Sequence, residues 1–144
     1  MHGIRISPEQ LQQMLEHVAD VEPLEACGLL GGSHSRVEEV VPIRNAAESS
    51  VRFLMDPSEQ INALFGFEER EMDLVAIYHS HPAGPPSPSN IDINEAAYPD
   101  AVQLIWFLEE GGWVCRAYRY VDRGAVELPI SINSGEDEDG GQDQ

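Results

Sequence analysis

Apolar residues near the start of the chain recur at helical spacing, with Leu11, Met14, Leu15 and Val18 on one face. Ser7-Pro8-Glu9-Gln10 supplies the start signal: Ser7 caps, Pro8 suits the first helical position and Gln10 closes a capping box. The spacing predicts a helix to about Asp20. Val21–Leu24, with Pro23, reads as a connection. Ala26–Leu30 is a short apolar strand stopped by Gly31-Gly32, and Val-rich Arg36–Ile43 is a second. Val51–Met55 reads as a third strand. Pro57 after Asp56 opens another helix, to about Glu71, with Ile61, Leu64 and Phe65 on one face. Leu74–Tyr78 is a buried strand. A proline-rich stretch from Pro82 to Pro88 follows, and Ser89 caps a short helix through Ala97. Val102–Leu108, Trp113–Tyr120 and Ala125–Ile132 are strands joined by Glu110-Gly111-Gly112 and Asp122-Arg123-Gly124, both good hairpin turns.

This order of elements predicts one α/β domain, a mixed β-sheet flanked by helices, over residues 1–132. Residues 133–144 hold no apolar side chain able to build a core and are expected to be a disordered acidic tail. A chain of 144 residues with 42% hydrophobic content can bury a core without disulfide staples. Cys27 and Cys115 are too few for a disulfide framework or a thiolate zinc site; they are expected as buried free thiols, or as one bridge if their strands are neighbours. No apolar run is long enough to span a membrane, and the first ten residues lack a secretory pattern, so a cytoplasmic protein is expected.

Charge narrows the partners. Asp and Glu total 26 against 8 basic residues, for a formal net charge of -18. Such a surface repels phosphates and argues against nucleic-acid binding; it suits a basic or neutral partner, or only keeps the chain soluble in a salty cytoplasm. All eight basic residues are arginine. That fits salt adaptation better than protection from lysine modification.

The candidate chemistry lies between His79 and Asp92. Two histidines at i and i+2 close a buried strand, so both rings leave the same face. Asp92 sits in the first turn of the next helix, and the intervening loop can fold it back onto them. Two imidazoles and a carboxylate leave a fourth tetrahedral position open, as in catalytic zinc sites. Each residue has a plainer explanation. A histidine at a strand end is usually only half-buried, Ser89-x-x-Asp92 is a capping box, and Pro82, Pro85, Pro86 and Pro88 make a stiff linker. Together, however, they meet ligand type, direction and reach at once. His2, His17 and His34 have no partners at metal spacing.

The run His79-Ser80-His81-Pro82-Ala83-Gly84 through Pro88-Ser89-Asn90-Ile91-Asp92 has the form H-x-H-P-x-G-x-x-x-P-S-x-x-D and resembles the motif of the JAMM/MPN+ metalloproteases. Glu25-Ala26-Cys27-Gly28-Leu29-Leu30-Gly31 resembles the family's first strand with its glutamate. The likeness covers roughly residues 5–132 and is greatest to small prokaryotic members. It implies a single MPN (JAB1/MPN, cytidine-deaminase-like) domain. It further implies one zinc ion held by His79, His81 and Asp92, with Glu25 as general base and Ser89 as hydrogen-bond donor to the developing oxyanion or the bound water. Glu22 does not align with the motif and is read as surface. The implied activity is hydrolysis of a peptide or isopeptide bond after the C-terminal glycines of a ubiquitin-like or sulfur-carrier protein. The alternative is a non-catalytic scaffold of the same fold. A zinc deaminase is disfavoured because the chain lacks C-x-x-C.

Overall fold

The computed structural model describes residues 3–132. The acidic tail and His2 lie outside the described residues. In chain order the elements are β1 (Ile4–Ile6), α1 (Pro8–Asp20), β2 (Cys27–Ser33), β3 (Arg36–Ile43), α2 (Pro57–Glu69), β4 (Asp73–His81), α3 (Asn90–Asn94), β5 (Val102–Glu109), β6 (Gly112–Val121), β7 (Gly124–Leu128) and β8 (Ile130–Ile132). No helix of the described residues is long and apolar enough to cross a membrane.

The strands form one mixed sheet in the order β7-β6-β5-β4-β2-β3-β1-β8. Its two edge strands are consecutive in sequence and separated only by Pro129. Two residues span at most about 7 Å, so the sheet must curl until its edges meet. The single strand expected over Ala125–Ile132 is therefore two. Leu128 pairs with Ala117 on one edge, and Ile130 pairs with Ile4 on the other. Proline at the break donates nothing to either ladder. β1 itself, three residues long, was not anticipated.

Inside the curl, Met14 and Val18 of α1 pack with Ile4, Ile6, Leu30, Tyr78, Leu104 and Trp106. The Ser7 capping box forms as expected. On the outer face, α2 lays Ala63 and Phe67 on Leu29, Ile43 and Ile77. This is a different face from the one expected: Ile61 and Phe65 are exposed, and Leu64 is only partly buried. β2 does not stop at Gly31-Gly32 but runs through both, with a register shift there. A Cβ on Gly31 would lie 2.6 Å from the Phe67 ring, so glycine lets α2 approach the sheet.

Val51–Met55 is not a strand. Only Met55 makes an isolated bridge, to Asn45. The side chain of Asn45 binds Arg52 O and Leu54 N, so the segment's polar groups turn inward instead of joining the ladder. α3 ends at Asn94, short of Ala97. Cys27 and Cys115 are free thiols on β2 and β6, which β4 and β5 keep apart.

Candidate metal centre

β4 delivers the two histidines. Strand alternation sends Ile77, His79 and His81 to the α2 side and Tyr78 and Ser80 to the α1 side. His79 is 1% and His81 3% exposed. Ser80, between them, is buried and accepts from Ala26 N at 2.8 Å, while its own N–H donates to Ala26 O at 3.0 Å. That double tie holds the start of β2 against the end of β4 and so brings Glu25 to the histidines.

α3 delivers the carboxylate. Ser89 is its N-cap: the Ser89 hydroxyl oxygen accepts from Asp92 N at 3.0 Å, and Ser89 N donates to Asp92 Oδ2 at 2.9 Å. The plain capping box expected from the sequence is therefore present, and it aims Asp92. Oδ2 lies 3.0 Å from His81 Nε2 and 3.2 Å from His79 Nε2, and the two Nε2 atoms are 3.2 Å apart. Three donors of type N, N and O thus form a nearly equilateral triangle. Tetrahedral zinc with bonds of about 2.0–2.1 Å has ligand edges of about 3.3 Å, so the triangle fits such an ion with little movement. His81 Nδ1 donates to Pro85 O at 2.7 Å, so that once Nε2 gives up its proton its lone pair points into the triangle. Phe53 stacks on His79 with centroids 4.6 Å apart.

Burial pushes His79 below the ordinary imidazole value, outweighing Asp92. A neutral ring is what a metal requires. For His81, burial works the same way but is outweighed by the Asp92 hydrogen bond, Pro85 O and the charges of Asp92 and Glu25, and the net shift is upward. Burial alone would raise Asp92, yet hydrogen bonds from His79, His81 and Ser89 hold it far below the usual carboxylate range.

Glu25 is 3% exposed, and its Oε1 has no hydrogen-bond partner among the described residues. Burial pushes its carboxyl up to about 8, with His81 pulling down and Asp92 adding to the rise. An orphaned carboxyl oxygen beside an N, N, O triangle is a group awaiting a proton donor or water. By contrast Cys27 is pushed up to about 12, by burial and then by the charges of Glu25 and Glu59, and is no nucleophile.

Beside His79 and Asp92 lies a cavity of about 170 Å³ bordered by Arg52, Phe53, Ile77, Ile91, Tyr98 and Tyr120. The Tyr120 hydroxyl is buried there without a partner among the described residues. The structure thus brings together all five residues expected at the site. Sequence reasoning missed Asn45, Phe53, Ser80 and Tyr120. Only Ser80, enclosed by the two histidines, carried a sequence signal. His17 is no ligand; its ring meets the Tyr78 hydroxyl at 2.6 Å.

Known proteins resemble this chain in sequence and fold. A curated CysO-cysteine peptidase of Mycobacterium tuberculosis is 32% identical over 130 residues, 88% of this chain and 89% of that protein. A desampylase of Pyrococcus furiosus is 40% identical over 88 residues, 61% of this chain and 63% of its own length. A protein of Desulfitobacterium hafniense solved in solution superposes with a TM-score of 0.83 at 34% identity, covering 94% of this chain and 96% of its own. The family model described as prokaryotic homologs of the JAB domain matches residues 7–121. On fold, site and extent of match, the chain belongs to the family of prokaryotic homologs of the JAB domain.

Proposed function

We propose that the chain is a zinc-dependent hydrolase that releases groups joined to the C-terminal glycines of a ubiquitin-like or sulfur-carrier protein. The observation that carries this reading is the N, N, O triangle of His79, His81 and Asp92 with the buried carboxyl of Glu25 beside it, whose Oε1 has no hydrogen-bond partner among the described residues. The names of the two relatives above, a CysO-cysteine peptidase and a desampylase, support a conjugate as substrate. His79, His81 and Asp92 would hold one ion. Zinc in such a site activates water and polarises a carbonyl. Glu25 takes the proton of the attacking water and returns it to the leaving amine as the C–N bond breaks. The Ser89 hydroxyl oxygen is occupied as a cap acceptor, but its O–H remains able to donate to the developing oxyanion.

Arg52, Phe53 and Leu54 border the cavity, and Val51 and Leu54 are exposed, which supports a substrate tail lying alongside this segment. Small residues are needed where that tail passes Glu25 and the histidines. The test is incubation of zinc-loaded protein with carrier proteins ending in Gly-Gly plus either a peptide-linked cysteine or an isopeptide-linked lysine, read by intact mass. Release of either extension supports the reading, and the faster of the two names the substrate class. Equal cleavage when the last glycine is replaced by leucine argues for a general peptidase; no cleavage of any adduct rejects the assignment.

A further inference from the structure

Asn45 follows β3 and was not singled out by any motif. It is 7% exposed, and both ends of its amide are fully used. Its Nδ2 donates to Glu25 O at 3.0 Å and to Arg52 O at 3.1 Å, with a longer contact to Ser49 O at 3.5 Å. Its Oδ1 accepts from Ala47 N and Leu54 N, each at 3.0 Å. One side chain therefore grips two separate parts of the site. One is the backbone of Glu25, whose N–H is also held by Ser49 O at 2.8 Å. The other is the loop that carries Phe53, whose ring lies on His79.

The chemistry of an amide explains the residue. The two jobs need donors toward carbonyls on one side and an acceptor toward N–H groups on the other. Aspartate has no donor, and serine is too short to bridge both sides. Ser49 belongs to the same unit, since it touches both Glu25 and Asn45.

We propose that Asn45 is a positioning residue of this site: it sets the carboxyl of Glu25 against the histidines and holds Phe53 over His79, without touching substrate itself. This rests on the assignment of Glu25 as base. Changes of this kind behind a reacting group typically cost about 10- to 100-fold.

The test uses Asn45→Ala and Asn45→Asp. The aspartate keeps the acceptor toward Ala47 and Leu54 but places an oxygen against Glu25 O, Arg52 O and Ser49 O, so it keeps part of the hold on the loop while breaking the grip on the base. Phe67→Leu serves as a control: it loosens the α2 core cluster, against which Phe53 also packs and to which neither Glu25 nor Asn45 belongs. Measured below every variant's melting temperature on a Gly-Gly adduct, kcat should fall about 10- to 100-fold in both Asn45 variants while KM changes less than about 3-fold. Phe67→Leu should keep its kcat. Zinc affinity, titrated calorimetrically, should stay within about 3-fold in Asn45→Asp, because the three ligands are aimed by β4 and α3. Adding Asn45→Asp to Glu25→Gln should cost little more than Glu25→Gln alone, since both act through one group. If the losses multiply, or if Phe67→Leu loses as much kcat at a similar drop in melting temperature, Asn45 is structural only and the inference falls. If Asn45→Ala does not fold, Asn45→Asp decides alone. A fully active Glu25→Gln would instead overturn the assignment of the base, which is a separate failure.

Discussion

Glu25→Gln should make the metal-free chain more stable, and increasingly so as pH rises. The carboxyl is 3% exposed and Oε1 lacks a partner among the described residues. Its ordinary value of 4.5 is raised to about 8, chiefly by burial. Because the folded chain holds this proton more tightly than the unfolded chain, folding stability is fully present below about pH 4.5 and is lost as pH rises through about 8. The full gap corresponds to on the order of 5 kcal/mol, which local relaxation and entering water should reduce to about 1–3 kcal/mol. Glutamine keeps the shape and does not ionise, so it removes that loss. Urea unfolding in the presence of a chelator, from about pH 5 to about pH 9, should show the two proteins nearly equal at the acidic end and the glutamine variant ahead at the alkaline end. Curves that run parallel across this range, or a glutamine variant weaker at alkaline pH, would mean that the folded chain solvates the carboxylate and that its isolation has been misjudged.

His81→Ala should abolish both metal binding and turnover, with retention of one equivalent of zinc by elemental analysis as the contrary result. Gly28→Ala should cost about 2–3 kcal/mol in chemical unfolding, because the new methyl would lie 2.2 Å from the ring of Tyr78, a fully buried side chain. An unchanged unfolding midpoint would show that Tyr78 moves aside freely. Removing residues 134–144 should leave melting temperature and turnover within error, since the segment has no apolar side chain to bury. A large drop in melting temperature would show that it docks on the domain.

The helix starts and the grouping of the candidate ligands were legible because their determinants are local. Ser7 and Ser89 announce helix starts through spacing, and the N, N, O set combines a strand period with a cap spacing, both written within a few residues. The hairpin at Asp122-Arg123 is likewise local, since both residues take positive φ there. What could not be read depends on distant pairings. Three residues at Ile4–Ile6 become a strand only because the sheet curls and presents both β3 and β8 to them. Pro129 splits a uniform apolar run because the two halves find different neighbours. Val51–Met55 has strand composition, yet a single amide at Asn45 captures its backbone groups. Nothing in Arg44-Asn45-Ala46 signals that role, because the partners of Asn45 reach from Glu25 to Leu54. The buried face of α2 was misread for a related reason. Ile61 and Phe65 are as apolar as the residues that are buried, but Gly31 opens the sheet to Phe67.

We propose Glu25 as the base acting beside zinc held by His79, His81 and Asp92. The most direct measurement takes purified wild-type and Glu25→Gln proteins, quantifies bound zinc in each, and then follows release of a C-terminal extension from a Gly-Gly carrier by intact mass. The account predicts close to one zinc per chain in both and a loss of about 10²–10⁴-fold in rate for the glutamine variant. Full activity in Glu25→Gln, or a wild-type chain that neither contains nor takes up zinc, would contradict it.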